Sequence, residues 1–188
     1  MRVMKFKADT RKVRMLTISE RFIIETDLLN YDMLKKEDIW AKNWAELPFY
    51  IYNPQNVEHD FWSNSEFLNF NKKALDTCFT PFEMCGEILP VKVEEHEDLY
   101  FFNCLKVCNA LDKEKSQINV SDRKTKKYLH RPVLIKERID FDAPIFFVPN
   151  VHGYLFCIVD QFDRDEDFYH LYKDNDLTGL IFEEIELI

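Results

Sequence analysis

The stretch EILPVKVEEHEDLYFFNCLKV (residues 87–107) decides the fold. It is rich in β-branched, aliphatic and aromatic side chains, which predicts strands at 88–93 and 99–107. Further β-rich runs follow at 117–120, 133–139, 145–148 and 154–159. Turn-type residues punctuate them, among them Pro90, Asp112, Pro132, Pro144, Pro149 and Gly153. Strands spaced this closely predict antiparallel pairing. Upstream, 63–78 reads as a helix. Ser63 or Ser65 is the expected N-cap, Ser63 having Glu66 three positions on, a capping-box spacing, and Phe67, Phe70, Ala74 and Leu75 supply an apolar face before Pro81. Downstream, 163–173 reads as a second helix with acids in its first turn, where the helix dipole favours them. Phe168, Leu171 and Tyr172 are its expected buried face, and 178–187 alternates as a last strand. The class is therefore α+β: a predominantly antiparallel sheet with two main helices, 63–78 and 163–173, packed on it.

The N-terminal third is less legible. Strands are expected at 12–19 and 49–52 and a short helix around 31–36, with Pro48 and Pro54 bracketing the aromatic segment between them. A chain of 188 residues suits one domain. Within it we expect a less regular N-terminal subregion, 1–62, and a core over 63–188.

Composition narrows the chemistry. Hydrophobic residues make up 46% and phenylalanine alone contributes 17 positions, a load that collapses into a core rather than staying disordered. There are only three glycines, so neither a G-x-G-x-x-G nor a Walker-type loop can be written. The net charge is −9 and is unevenly spread. Residues 1–14 carry Arg2, Lys5, Lys7, Arg11, Lys12 and Arg14 against Asp9, whereas 160–186 carry ten acids against Arg164 and Lys173. Such a field repels nucleic acid and steers basic protein surfaces inward. The start, MRVMKFKADTRKVR, has no apolar core of a signal peptide, and no apolar run suits a membrane span. Five cysteines, an odd count, then read as free thiols in a reducing cytoplasm.

The residues that tempt a catalytic or metal reading fail on spacing. Cys104 and Cys108 would lie about 13 Å apart on a strand, too far for one zinc ion, and are expected to face the core together. His59, His96, His130, His152 and His170 form no HxH or HxxxH pair. Asp163, Asp165 and Asp167 are spaced like the start of a calcium loop. Phe168 replaces its glycine and Asp174 its last glutamate, so the sharp turn and bidentate end are missing. No catalytic, cofactor or metal residue is assigned. The expected interface residues are the acids Asp163, Asp165, Glu166, Asp167, Glu183 and Glu184 and the aromatics Trp40, Trp44 and Trp62, since aromatic anchors and complementary charge make tight interfaces.

Two short motifs stand out: Ala110, Leu111 and Asp112 with Ser116, and Thr178, Gly179 and Leu180 with Phe182. With the helix before Leu89-Pro90 and the PIFFV segment at 144–148, their order over residues 65–187 resembles immunity protein family eleven of bacterial polymorphic toxin systems. The chain departs from that pattern at Val159-Asp160-Gln161, where a valine-serine-glutamate lead-in is usual, and in the N-terminal third. The resemblance implies a non-catalytic cytoplasmic protein that neutralises a cognate toxin by occlusion, and the net charge of −9 would fit a basic one. The motif residues would be structural: Asp112 and Ser116 fixing a turn, Gly179 a backbone conformation. A regulatory or scaffold protein, or a hydrolase whose cysteine and histidine meet only in three dimensions, are the competing expectations.

Overall fold

The computed structural model describes residues 1–18, 44, 48–64, 67–93, 96–120, 127–149, 151 and 153–188. The expected strand pair of 87–107 is present as β6 (Gly86–Val93) and β7 (His96–Cys104), antiparallel over most of their length. Side-chain alternation buries one face of β6 and both faces of β7. Leu89, Val91, Leu99 and Phe101 point to one cluster, while Phe102 and Cys104 point to another. Around this pair a six-stranded sheet runs in the order β2-β3-β6-β7-β5-β4. Its other members are β2 (Leu16–Ile18), β3 (Pro48–Ile51), β4 (Phe61–Asn64) and β5 (Phe67–Asn71).

A second, four-stranded sheet has the order β11-β12-β1-β13. It comprises β1 (Arg2–Ala8), β11 (Ile145–Phe146), β12 (Leu155–Val159) and β13 (Leu180–Glu184). Smaller pairs are β8 (Gln117–Val120) with β9 (Lys127–Arg131), and β10 (Val133–Leu134) with β14 (Glu186–Leu187). Pairing between these named strands is antiparallel except for β3–β6 and β10–β14. Two α-helices complete the described architecture, α1 (Lys72–Cys85) and α2 (Phe168–Asp174). The chain is thus an α+β protein, as its pattern of elements predicts.

The largest core cluster joins both sheets to both helices. Phe6 and Val159 come from the four-stranded sheet, Phe61, Phe70 and Phe102 from the six-stranded one, Phe82 from α1 and Phe168 from α2. The outer face of the four-stranded sheet is covered by the 108–111 and 134–151 segments through Cys108, Leu134, Ile139 and Val148. The outer face of the six-stranded sheet carries Leu16, Phe49, Trp62 and Phe101 with Trp44 packed against them.

Several expectations are corrected. The first helix begins at Lys72, not Ser63, because Phe61–Asn64 and Phe67–Asn71 pair as a hairpin and β5 then joins β7. Its cap is Asn71, whose Oδ1 accepts the Ala74 N–H at 3.0 Å. Pro81 lies inside this helix. The missing N–H and the ring clash are absorbed by a kink at Cys78 (φ −110°, ψ 21°), and burial of Phe82 and Cys85 carries the helix on. The second helix starts at Phe168. The acids before it form a turn, in which the Glu166 and Asp167 N–H groups donate to the Asp163 carbonyl. Cys104 ends its strand inside the main cluster, whereas Cys108 lies in the cluster on the other side of the four-stranded sheet, so the two do not face the same way. The run at 133–139 is only a two-residue strand followed by a 3-10 turn at Lys136–Arg138, whose charged side chains are exposed.

The N-terminal third is not peripheral. Arg2–Ala8 is an inner strand between β12 and β13, with Val3, Met4, Lys5 and Phe6 all buried. The helix expected around 31–36 lies outside the described residues. No helix among the described residues is long and apolar enough to cross a membrane.

Candidate interaction surface

The C-terminal acids converge because β1 lies between the strands that carry them. Antiparallel register sets Arg2 opposite Val159 on β12 and Met4 opposite Glu184 on β13. The end of β12, the turn at 160–167 and the end of β13 therefore share one end of the four-stranded sheet.

A clasp of ionisable groups fixes that end. Asp160 leaves β12 with φ 63° and donates its N–H to Asp167 Oδ2 at 2.9 Å. Asp160 Oδ2 accepts Arg2 Nε and Nη2 at 3.2 and 3.1 Å, and its Oδ1 lies 2.9 Å from His170 Nε2. The hydrogen bond to His170, then the one from Arg2, hold the Asp160 carboxyl below its ordinary range. Asp167 is 1% exposed; its Oδ1 caps α2 by accepting the His170 N–H. Asp160, Asp167 and His170 are the one metal-sized group of ligating side chains among the described residues, with candidate ligand atoms within 4.8 Å of one another. Both carboxylates are already committed to neighbours, and the Arg2 guanidinium would repel a cation. The arrangement suits a structural clasp.

The turn that the clasp anchors presents Asp163 and Asp165 to solvent, with Glu166 half-buried. Glu184 is exposed beside them, and Glu183 reaches the buried Lys5 Nζ at 3.0 Å. Arg164 is paired with Asp174 at 2.7 Å. Asp163, Asp165, Glu166 and Glu184 thus form no ion pair among the described residues.

Two expected interface residues are corrected. Asp167 is buried as a cap. Trp62 is 0% exposed: its Nε1 donates to the His59 carbonyl at 2.7 Å, and the Arg14 guanidinium lies 5.6 Å from its ring. An anchor that the fold consumes is not available to a partner. Trp44 is half-buried, with Nε1 donating to the Pro90 carbonyl at 2.8 Å. Trp40 lies outside the described residues.

Both short motifs act as joints. Asp112 Oδ1 accepts the Glu114 and Lys115 N–H groups, while Ser116 Oγ accepts the Val133 N–H at 3.0 Å. Ala110 is fully buried and Leu111 bridges to Leu134. Beside this joint a cleft of about 500 Å³ opens between Leu111, Ile135 and Val148. Lys113 and Arg138 line it together with Asp112 and Glu114, so its rim has no single sign. At the second motif, Thr178 donates its N–H and its hydroxyl to Asp60 Oδ2, each at 2.9 Å, and Leu180 is bound through the Tyr172 hydroxyl. Phe182 stacks on Phe6 at 5.5 Å.

Asp60 escapes a sequence reading, because its partner Thr178 is 118 positions away. Burial alone would push its carboxyl up. The hydrogen bonds from Thr178 and Asn71 and the charge of Lys73 outweigh burial and hold it below its ordinary value. A depressed folded-state value means the contribution is complete above about pH 4 and is lost as pH falls through the folded value. Asp60→Asn is therefore expected to lower stability at pH 7, with the gap from wild type narrowing towards pH 3. Urea unfolding at pH 7, 4 and 3 checks this, and a gap independent of pH would refute it.

All five cysteines are buried. Burial pushes Cys78 up to about 12, and Cys85 up to about 11 although its Sγ accepts the Ile145 N–H. Cys108 and Cys157 are raised for the same reason. A nucleophilic thiolate requires the opposite shift. The chain matches no protein-family model and none of the curated proteins compared with it.

Proposed function

We propose that the chain is a non-catalytic cytoplasmic immunity protein that binds a basic toxin domain and occludes it with the acidic end of the four-stranded sheet. One observation carries the reading. Acids from two separate segments, Asp163, Asp165 and Glu166 with Glu184, lie at the same end of the four-stranded sheet, next to a frame locked by Asp160, Asp167, Arg2 and His170. Four acids without ion pairs on a pre-organised surface favour fast association with a cationic partner, and rigidity limits the entropy lost on docking. The resemblance of residues 65–187 to an immunity family supplies the kind of partner. The buried, upshifted thiols support a role in binding rather than nucleophilic catalysis.

Co-expression with the product encoded beside this chain tests the reading. Rescue from toxicity with a complex that survives size-exclusion chromatography is the expected outcome; full toxicity with no complex overturns it. The triple variant Asp163→Lys, Asp165→Lys, Glu184→Lys should slow association by about tenfold or more at low salt and far less at high salt. An association rate unchanged at both salt levels would move the interface off this surface.

A further inference from the structure

The four-stranded sheet ends in a strand whose outer edge is, among the described residues, unbonded for a short, defined length. The ladder between β1 and β13 is bracketed by the Ile185 N–H donating to Val3 O at 2.9 Å and the Asp9 N–H donating to Gly179 O at 2.8 Å. With the register Lys5↔Glu183 and Lys7↔Ile181, antiparallel alternation makes those two pairs the bonded ones. The N–H and C=O of Phe182 and Glu184 consequently point away from β1. At Leu180 the outward groups are taken by the Tyr172 hydroxyl, which accepts from its N–H at 3.1 Å and donates to its C=O at 3.4 Å. Beyond Ile185 the chain turns to pair with β10. Between these stops, no hydrogen bond is made to the outward groups of Phe182 and Glu184 among the described residues.

We propose that this edge, Ile181 to Glu184, receives an extended basic segment of the partner protein by strand addition. Ile181 is 38% exposed and Phe182 half-buried, so the slot begins apolar. It ends in Glu183 and Glu184, both exposed. Around it Lys5 is answered by Glu183, Arg2 by Asp160 and Arg164 by Asp174. Lys7 and Lys173 lie against aromatic rings and are outnumbered by the four unpaired acids named above. That surplus selects a segment with apolar residues beside Ile181 and Phe182 and cationic ones beside the glutamates. A second copy of this chain is the disfavoured occupant. The antiparallel pairing of two such edges that uses the outward groups of both Phe182 and Glu184 is centred on Glu183, since Leu180 is closed by Tyr172, and this sets Glu183 against Glu183. The mode of contact rests on the acidic surface of the proposed function but not on the partner being a toxin.

The test uses the full chain and two acetylated hexapeptides, two valines followed by two lysines between terminal threonines, and the reversed sequence. In the free protein the Phe182 and Glu184 amides should exchange with deuterium at unprotected rates while those of Ile181 and Glu183 are protected. One of the peptides at ~1 mM should protect Phe182 and Glu184 in turn. Glu184→Pro removes an outward N–H and leaves the β1 ladder its bonds, so it should weaken peptide binding about tenfold. Glu184→Lys keeps the backbone and should weaken it through charge alone. Protection absent with both peptides overturns the proposal, as does protection that grows with protein concentration without peptide. Failed toxin rescue with peptide binding intact removes the toxin and leaves the edge standing.

Discussion

Phe168→Ala is expected to destabilise the protein by about 3–5 kcal/mol, the range for emptying a large buried aromatic site. The reason lies in where the ring sits. Phe168 is 0% exposed, and its ring centroid is 4.8 Å from Phe6, 5.5 Å from Phe82, 6.1 Å from Phe61 and 6.3 Å from Phe182. Those four rings belong to β1, α1, β4 and β13, so one side chain couples both sheets to a helix. The walls of the cavity come from separate elements that are themselves bonded into ladders, and they cannot collapse inward at low cost. Denaturant titration should show a lower midpoint with an unchanged slope. Phe168→Leu should recover more than half of the loss. A Phe168→Ala loss under about 1 kcal/mol would show that the two sheets do not depend on this contact.

Gly179→Ala is expected to cost about 3 kcal/mol or more, through two independent effects. The backbone at Gly179 has φ +106°, which an L side chain rarely adopts. An added Cβ would also stand 2.4 Å from the Phe61 carbonyl oxygen, and that contact is backbone on both sides. The chain cannot move aside freely. The Phe61 N–H donates to Thr178 O at 3.0 Å, the Asp9 N–H donates to Gly179 O at 2.8 Å, and Asp60 grips Thr178 from the side. Relief of the clash breaks at least one of these bonds. The thermal midpoint should fall by roughly 6–12 °C, at about 2–4 °C per kcal/mol for a chain of this size. A variant as stable as wild type would mean that the Thr178 joint is not tight.

The elements that could be read in advance are those whose signal is local. Strands β6 and β7 follow from their aliphatic and aromatic side chains, which pack on whichever faces the sheet offers. The start of α2 was visible only approximately: the acids at 163–167 mark it, but Asp167 alone is the cap, and the choice among them depends on its second bond, to the Asp160 N–H. Ser63 and Asn71 are both competent caps. Asn71 prevails because β5 finds a partner in β7, a contact no local pattern announces. β1 did carry a signal, with Met4, Phe6 and Ala8 alternating with Lys5 and Lys7. The lysines concealed it, since a buried Lys5 is tolerable only once Glu183 and the Tyr154 ring, 5.1 Å from its Nζ, are beside it.

The candidate surface divides in the same way. That 160–167 and 183–186 are acidic needs no structure, and neither does the absence of a phosphate-binding glycine loop from the chain. That the two acidic segments share one end of the sheet is settled by strand order, with β1 inserted between β12 and β13 across more than 150 positions of sequence. The same order buries Trp62 and Asp167 and leaves the backbone of Phe182 and Glu184 facing outward. Alternation and capping act over a few residues and are written into each segment. Strand order, burial of a given ring and neutralisation of a given charge depend on which distant segment arrives, and that is a property of the folded chain as a whole.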